Sequence, residues 1–421
     1  MASRRESGDC PVILGYDLVS SLGTELEEQW RRAAGGESGV AELTRFAAGG
    51  DFPVKIAGQV PPFDAAPYPF LRDREMAQWT SPIFRHALLV VHRALRRAGV
   101  ELTPELAPRV ATTFSSAIGG VDAVLAADRR LVAGGELPKP AVNPNNCINM
   151  VTGKVSILCG ATGPIFSAIS ACATGNTSLI LGAMLLESGQ ADLAICGAVD
   201  FPLVEVVVAG FATMNGAYRP KPGTPHDPPA ACSRPFAANR RGFVVAEGAA
   251  ALILASKSFA RAHGLPYAVE LAGWGMNSDA HHYVAPYAPT VESCLRKTLE
   301  HAGLAPGDIQ AINAHATSTR AGDQVEADCL RAVFGGRPPA ITANKSLLGH
   351  AMGASSAIEC ILAIEGMRRG VLLPTLNFKP SDEIGLESLA TVAMALEQEH
   401  VLKNAFGFGG CNACLVLRRV A

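Results

Sequence analysis

One cysteine lies where the chain could place a nucleophile. Cys172 is surrounded by small residues, between a predicted turn and short buried strand over 162–169 and a predicted apolar helix over 179–187. Unpaired amides and the positive dipole end at a helix N-terminus favour the thiolate, which is the nucleophilic form of cysteine. The chain has eleven cysteines, so a buried structural role is the alternative interpretation. This segment alone leaves both open.

Two histidines occupy loops that each follow an apolar run and precede a helical pattern. His315 comes before a predicted helix that carries Glu326, and His350 comes before the small-residue run 353–356 and a predicted helix that carries Glu359. One cysteine and two distant histidines can supply a nucleophile and two proton donors or acceptors once folding brings them together. Neither histidine motif resembles a metal site. Spacing alone does not show that the three residues meet.

These motifs occur in an order that is typical of one enzyme family. They are the opening strand 12–15 with 20–23, the segment 148–150, the cysteine motif 169–178, the two histidine motifs, and the closing glycine-rich run 404–410. The chain resembles the β-ketoacyl-acyl-carrier-protein synthases, and most closely the elongating ketosynthases of type II systems. The resemblance runs nearly end to end.

The resemblance implies an α/β fold of the thiolase-like type, with five αβαβα layers built from two similar halves. Residues 1–260 would form the half with the nucleophile, and residues 261–421 the half with the two histidines. The residues themselves favour an α/β class, because predicted strands at 193–196 and 250–254 alternate with helices such as 291–302. The sequence shows no internal repeat, so the two halves are an expectation from the family.

The resemblance also assigns catalytic roles. Cys172 would take an acyl chain from the phosphopantetheine thioester of a carrier protein, as in covalent catalysis generally. His315 and His350 would assist decarboxylation of the malonyl thioester and stabilise the enolate, which then attacks the acyl-cysteine. The backbone amides of Cys172 and Phe408 would form the oxyanion hole. No resident cofactor is implied, since 4'-phosphopantetheine arrives on the carrier protein.

Lys345 matches a family lysine that supports the site. By resemblance its partners are Asp323, Glu326 and Glu359. A buried ammonium needs such partners, because an isolated one would be heavily penalised or would lose its proton. We interpret Lys345 as part of a structural ion pair that holds the catalytic groups, in preference to a residue that transfers protons directly.

Four further residues match substrate-contacting positions of the family. Thr317 and Thr319 would bind the pantetheine arm with their hydroxyl groups. Phe408 would act as a gate beside the acyl pocket, and Ile118 would line the far end of that pocket. Ordinary core packing is the alternative for the two apolar residues, because such side chains are usually buried.

Several positions depart from the family pattern. Ala316 stands where glycine is usual, and Ala237 and Arg241 stand where aspartates are usual. These departures favour a specialised polyketide, polyene or unusual fatty-acid pathway. They also keep a rival hypothesis open, in which the chain is a chain-length-factor-like partner subunit without catalysis. A thiolase or a priming synthase acting on coenzyme A esters is a weaker alternative, because both use other catalytic partners.

Charge and composition restrict the partners. The net charge is −2, which argues against nucleic acid, and no stretch approaches the ~20 apolar residues of a membrane span. We therefore expect a cytoplasmic enzyme that binds an acidic acyl carrier protein, as a homodimer or as a heterodimer with a related subunit. Candidate basic residues for the carrier protein are Arg129, Arg130, Lys139, Arg219 and Lys221.

Other cysteines and histidines are expected to have no catalytic role. The eleven scattered cysteines do not form a disulfide pattern, so we expect reduced thiols. Cys411 and Cys414 form a C-x-x-C within the predicted last strand, where residues three apart point to opposite faces. The pair His281-His282 lacks companions at ligand spacing and is interpreted as a loop pair near the substrate entrance, or simply as surface.

Overall fold

The computed structural model describes residues 10–220 and 227–420. Its strands are β1 (Val12–Val19), β2 (Val40–Glu42), β3 (Ile56–Gly58), β4 (Val110–Thr112), β5 (Leu193–Asp200), β6 (Gly248–Ala255), β7 (Val269–Ser278), β8 (Ala311–Asn313), β9 (Ala340–Thr342), β10 (Val371–Leu372), β11 (Met394–Ala395), β12 (His400–Gly407) and β13 (Cys411–Arg419). Its α-helices are α1 (Leu26–Ala34), α2 (Pro82–Ala98), α3 (Val121–Gly134), α4 (Val142–Asn146), α5 (Asn149–Cys159), α6 (Thr174–Glu187), α7 (Glu205–Thr213), α8 (Lys257–Ala262), α9 (Ala288–Ala302), α10 (Arg320–Val333), α11 (Lys345–Leu348) and α12 (Ala354–Arg369).

Nine of these strands form one mixed sheet in the order β4-β5-β6-β1-β7-β13-β12-β8-β9. In its first part, β4 is parallel to β5, and β6 is antiparallel to both β5 and β1. In its second part, β8 is parallel to β12, and β13 is antiparallel to both β12 and β7. The two halves of the chain therefore repeat one strand pattern. They join where Val12 and Ile13 of β1 pair with Glu270 and Val269 of β7.

Apolar side chains divide this fold into layers. One cluster joins α6 and α12 to the inner faces of both parts of the sheet. A second cluster packs α2 and α5 on the outer face of the first part, and a third packs α9 and α10 on the outer face of the second. Alternation along the strands creates this division, since Ala194 and Cys196 face the centre while Leu193 and Ile195 face outward. The order helix, sheet, helix, sheet, helix confirms the predicted five-layer α/β fold.

The predicted strands at 193–196 and 250–254 lie within β5 and β6, and the predicted helix at 291–302 lies within α9. The predicted boundary between residues 260 and 261 falls inside α8, and the division at that residue stays a prediction. All eleven cysteines are free thiols, as expected. No helix in the described ranges is long and apolar enough to cross a membrane, and the cytoplasmic location stays a prediction.

The prediction of a short buried strand over 165–169 is wrong. Within this chain the segment makes a single bridge, from Ile165 to Thr112 of β4, with hydrogen bonds of 2.9 Å on either side. Ile165, Phe166 and Ile169 remain 49–50% exposed. Their apolar character suggested burial, but the segment is an edge that no described strand of this chain covers.

Small residues let the central helices α6 and α12 approach at their N-terminal ends. The Gly175 amide donates a hydrogen bond of 3.1 Å to the Gly353 carbonyl. A Cβ on Gly175 would lie 2.5 Å from the Ala357 nitrogen, and one on Gly353 would lie 2.8 Å from the Thr174 Cβ. Any side chain at these positions would therefore push the two helices apart.

We expect Gly175→Ala to lower the free energy of unfolding by about 1–3 kcal/mol, the usual cost of overpacking a filled core. Gly153→Ala is the matched control, since Gly153 also lies in a helix interior but has nothing within 4 Å of an added Cβ. That control should be neutral or stabilise the protein by up to about 1 kcal/mol, as alanine does for glycine in helices. Urea unfolding of both variants checks this, and equal stabilities would contradict the close approach.

Candidate active site

Cys172 lies in a tight turn at the N-terminal end of α6. The 3₁₀ turn Ala171–Ala173 leads directly into the helix, and Ala171 has a φ of +48°, which residues with a Cβ rarely adopt. The Thr174 hydroxyl holds this conformation, since it donates to the Ala171 carbonyl at 2.7 Å and accepts from the Ser170 amide at 3.1 Å. The predicted turn between the preceding segment and the helix is thus confirmed.

The glycine-rich loop that joins β12 to β13 lies against this turn. A Cβ on Gly407 would be 2.2 Å from the Ser170 carbonyl oxygen, so only glycine permits the contact. The next residue, Phe408, brings its backbone N–H close enough to the Cys172 sulfur to lower the pKa of the thiol, and the N–H of Cys172 itself does the same. The two amides predicted for the oxyanion hole therefore converge on the sulfur.

His350 is hydrogen-bonded to the thiol. Its Nε2 lies 3.0 Å from the Cys172 Sγ, and its Nδ1 lies 3.0 Å from the Ser355 Oγ, which also accepts from the Ala351 amide at 2.7 Å. An Nδ1–H that donates to Ser355 leaves Nε2 as the acceptor that faces the thiol. The ring is thus oriented to take the proton of Cys172.

His315 completes the cluster. The thiol sulfur and one nitrogen of each histidine lie within 4.8 Å of one another, and all three residues are buried. The two imidazole rings are edge to face, with centroids 5.8 Å apart. No described residue hydrogen-bonds to the buried His315 Nδ1. Sulfur and imidazole nitrogen are also zinc ligands, but the Cys172–His350 hydrogen bond already directs these two groups at each other.

Burial favours the neutral form of all three groups. Burial raises the pKa of Cys172 to about 12, although the charge of Lys345 and the Phe408 amide oppose this rise. Burial, followed by the charge of Lys345, lowers the pKa of both His315 and His350 well below 6.5. The terminal amides favour the thiolate, as predicted, but desolvation outweighs them. To act as a nucleophile the thiol would have to lose its proton, and the His350 Nε2 lies 3.0 Å away.

Of its three predicted partners, Lys345 forms an ion pair with Glu359. The Lys345 Nζ lies 2.6 Å from the Glu359 Oε1, and both side chains are buried. The prediction that Asp323 pairs with Lys345 is wrong, because the Asp323 carboxylate accepts the amides of Phe236 at 2.7 Å and Thr317 at 3.0 Å. Backbone donors satisfy this carboxylate, so it needs no ammonium.

Glu326 has a similar role beside His315. Its two oxygens accept the backbone amides of His315 at 2.8 Å and Ala316 at 2.7 Å, and Oε1 also accepts from the Asn404 amide group at 2.9 Å. The prediction that Glu326 pairs with Lys345 is wrong, because the Lys345 ion pair is with Glu359 and Lys345 acts on Glu326 only through its charge. Glu326 and Asp323 therefore hold the backbone of the histidine loop.

Sequence reasoning missed Lys403. This lysine lies in the middle of β12, is fully buried, and places its Nζ 2.8 Å from the second carboxylate oxygen of Glu359. The sequence did contain a signal for it, because Lys403 stands within a segment that otherwise has the pattern of a buried strand. A charged residue at such a position usually marks a paired or functional group.

A cavity of 610 Å³ opens in front of the cluster. Thr317 and Thr319 lie on its wall with their hydroxyl oxygens 3.0 Å apart, and Ile118 and Phe408 line it too and pack into one apolar cluster. All four predicted substrate-contacting residues thus face one space. Their assigned roles stay predictions.

Arginines gather at the mouth of this cavity. Arg241 and the exposed Arg320 line it, and Arg241 donates to the Arg219 carbonyl at 3.1 Å while its guanidinium lies over the Tyr218 ring. Of the other predicted basic residues, Arg129 and Arg130 pair with nearby glutamates, Lys139 is exposed, and Lys221 lies outside the described residues. Arg219 is therefore the predicted basic residue that the structure places nearest the cavity mouth.

The histidine pair and the C-x-x-C motif lie outside the catalytic cluster. His281 and His282 are exposed and stack on Tyr287 and Tyr283, in a loop whose later residues 284–286 line the cavity. Cys411 and Cys414 lie in β13 as free thiols, and only Cys414 is buried, as expected for residues three apart in a strand.

Known proteins are similar to this chain in sequence and in fold. The chain is 33% identical over 415 residues to the 3-oxoacyl-[acyl-carrier-protein] synthase 2 of Coxiella burnetii, a match that covers 97% of this chain and 98% of the relative. A crystal structure of a β-ketoacyl synthase from Burkholderia phymatum is 29% identical, with a TM-score of 0.90 and coverage of 98% of this chain and 100% of that one. The ishigamide ketosynthase/chain length factor is 28% identical, with a TM-score of 0.88 and the same coverage.

The family models agree with these matches. The N-terminal domain model of β-ketoacyl synthases matches residues 11–260, and the C-terminal domain model matches residues 267–379. Because both models match in order and together cover most of the chain, the protein belongs to the β-ketoacyl synthase family of condensing acyltransferases.

Proposed function

We propose that the protein extends an acyl chain bound to Cys172 with two carbons from a malonyl carrier protein, in fatty-acid or polyketide biosynthesis. The observation that carries this proposal is the convergence of the Cys172 sulfur and one nitrogen each of His315 and His350 within 4.8 Å. A partner subunit that only shapes a pocket has no need of this geometry. The complete cluster therefore favours a catalytic subunit over the chain-length-factor-like alternative.

Acylation uses the thiol and His350. As the Cys172 sulfur bonds to the thioester carbonyl of the acyl donor, its proton passes to His350 Nε2, 3.0 Å away. The amides of Cys172 and Phe408 stabilise the oxygen that becomes negative, at about 2.7–4 kcal/mol for one donor in well-measured oxyanion holes. The carbon–sulfur bond to the carrier arm then breaks, and the departing pantetheine thiolate takes the proton from His350.

Condensation uses both histidines. The bond between the malonyl methylene and its carboxylate breaks, carbon dioxide leaves, and the electron pair moves into a thioester enolate. A neutral imidazole carries one N–H, and His315 has a nitrogen within 4.8 Å of the Cys172 sulfur from which it can donate to the enolate oxygen. Once Cys172 is acylated, His350 can donate from Nε2 in the tautomer whose Nδ1 accepts from the Ser355 hydroxyl. The enolate carbon attacks the acyl carbonyl and the bond to Cys172 breaks. The departing thiolate takes one proton, which comes from water by way of His350. Because the enolate is the charged species, its two donors should matter most in this step.

The cavity and its mouth fit a phosphopantetheine arm on an acidic carrier protein. Thr317 and Thr319 offer hydroxyl groups to the amides of the arm, along a wall that is otherwise largely apolar. Arg219, Arg241 and Arg320 at the mouth present positive charge to the phosphate and to an acidic protein surface. The phosphopantetheine is then part of the substrate, and the enzyme itself carries no cofactor.

A second copy of this chain fits the uncovered edge at 165–169. Apolar side chains are exposed there and in the neighbouring elements α3 and α5, including Phe166 at 49%, Ile157 at 67% and Val132 at 79%. An uncovered apolar edge is a site for association or aggregation. An antiparallel copy of the same segment would pair with its free backbone groups and cover its apolar side chains. We favour a homodimer, because the chain holds a complete catalytic cluster of its own. A heterodimer with a related subunit is the alternative.

Removing each catalytic group should affect different steps. We expect Cys172→Ala to abolish the acyl-enzyme. His315→Ala should keep acylation within about tenfold of wild type but lower condensation by about 10²–10⁴, the range of lost acid–base groups. His350→Ala should impair acylation more than His315→Ala does, because only His350 bonds to the thiol. Intact-protein mass spectrometry measures the acyl-enzyme, and chromatography measures the product. Equal acylation defects in both histidine variants would contradict these roles.

Charge reversal at the mouth should weaken carrier-protein binding. We expect Arg320→Glu to raise the KM for acyl carrier protein about tenfold, since charges at an interface rim act on association. The same variant should leave the KM for a short thioester that lacks the carrier protein unchanged. Arg320 begins α10, where a carboxylate suits the helix dipole, so folding should be preserved. Arg296→Glu, which alters an exposed arginine of α9, is the control, and equal effects of both would contradict the proposed site.

The proposed dimer can be tested by a substitution in the apolar edge at 165–169. We expect Phe166→Asp to weaken self-association by about 2 kcal/mol or more, roughly thirtyfold in Kd, as for a central interface residue. Analytical ultracentrifugation measures the dissociation constant. Val392→Asp is the control, since Val392 is 69% exposed and lies in the segment before β11, distant in sequence from this edge. A monomeric wild type would contradict the homodimer and direct attention to a related subunit.

A further inference from the structure

Lys403 shares Glu359 with Lys345 inside the central layer. Glu359 Oε1 lies 2.6 Å from the Lys345 Nζ, and Glu359 Oε2 lies 2.8 Å from the Lys403 Nζ. All three side chains are at most 2% exposed. Two lysines therefore share one carboxylate in a region without solvent.

A second buried lysine on one carboxylate is costly to the fold. The Lys345–Glu359 pair alone would be neutral, and a second buried ammonium adds a desolvation penalty that the shared carboxylate only partly offsets. An apolar residue would suit the middle of β12 better. Burial of Lys403 against this penalty indicates that its charge or its hydrogen bonds serve the neighbouring site.

A continuous chain of hydrogen bonds connects Lys403 to His315. The Lys403 Nζ donates to the Asn404 carbonyl at 2.5 Å, and the Asn404 side chain donates to Glu326 at 2.9 Å. Glu326 in turn accepts the His315 backbone amide at 2.8 Å. Lys345, at the start of α11, is five residues before His350 in the other histidine loop. Lys403 is thus connected to the backbone of His315, and Lys345 lies in the segment that leads to His350.

The charge of the two lysines also acts on the histidine rings. After burial and Lys345, the charge of Lys403 contributes to lowering the pKa of His350, and at His315 it contributes after Lys345 and His350. The other ionisable groups that face this region among the described residues are Glu359, Glu326, Asp200, Asp323, Cys360, Cys414 and Cys172. A positive charge that keeps imidazoles neutral also stabilises negative charge on an enolate beside them.

We propose that Lys403 is a positioning residue for the condensation step, which holds the His315 loop through Asn404 and Glu326 and places positive charge beside the two histidines. This inference rests on the proposed condensation. It assigns Lys403 no contact with substrate. Its effect should appear in the protonation of the histidines and in the step that develops the enolate.

The test compares Lys403→Met and Lys403→Gln with wild type. Methionine removes the charge and the hydrogen bonds, whereas glutamine removes the charge and can still donate to the Asn404 carbonyl. Residue-specific hydrogen exchange at the imidazole C2, followed by mass spectrometry, gives the titration midpoint of each histidine. We expect both midpoints to rise in both variants, so that the acidic limb of the condensation rate moves to higher pH. Condensation should fall about ten- to a hundredfold while acylation changes less.

Lys257→Met is the control, because Lys257 also forms a partly buried ion pair, at 2.5 Å from Glu270, but does not line the cavity. It should leave both histidine midpoints unchanged. Thermal unfolding of the Lys403 variants should match or exceed that of wild type, since Glu359 keeps Lys345 as its partner. Unchanged midpoints, or a loss of stability without a change in midpoint, would overturn the proposal and make Lys403 a structural residue.

The two proposals fail in different ways. The exchange measurement needs no substrate, so it reports on Lys403 even if wild type condenses no acyl chain. A wild type that is never acylated would reject the proposed function, whereas a fully active wild type with unmoved midpoints in the variants would reject only the role of Lys403. A Lys403→Gln variant with a wild-type profile beside an inactive Lys403→Met would also reject the electrostatic role, since only the hydrogen bonds would matter.

Discussion

The close approach of α6 and α12 is the constraint on which the site depends. Each helix begins directly after a catalytic segment, Cys172 before one and His350 before the other, and their first turns touch through Gly175 and Gly353. No side chain fits between them, since an added Cβ on Gly175 would lie 2.5 Å from α12. The 3.0 Å distance between thiol and imidazole therefore follows from helix packing in the central layer.

Burial sets the chemistry of this layer. Desolvation raises the pKa of Cys172 to about 12 and lowers that of both histidines, so burial favours a neutral cluster. Behind it, Lys345 and Lys403 share Glu359. Fixed dipoles and charges in a dry site stabilise a developing anion strongly, because no solvent must reorganise around it. Neutral histidines with buried lysines behind them therefore fit the proposed condensation through an enolate.

Family motifs predicted the five-layer fold and the catalytic trio, because those residues occur in short, distinctive segments. Predictions failed where the answer depended on distant contacts. Asp323 binds backbone amides in place of Lys345, the segment 165–169 has no partner strand within this chain, and Lys403 was missed altogether. A carboxylate's partner is decided by which donors the fold brings near it. Sequence order does not contain that information.

By itself, the sequence determined the α/β class, the positions of the main strands and helices, and the identity of Cys172, His315 and His350, since residue types and local periodicity carry these properties. Only the tertiary structure decided which groups are charged, because ionisation depends on burial and on neighbours far apart in the chain. It also decided how Glu359 is shared between two lysines and where an apolar edge is left uncovered. These properties arise from packing between elements, which no single segment specifies.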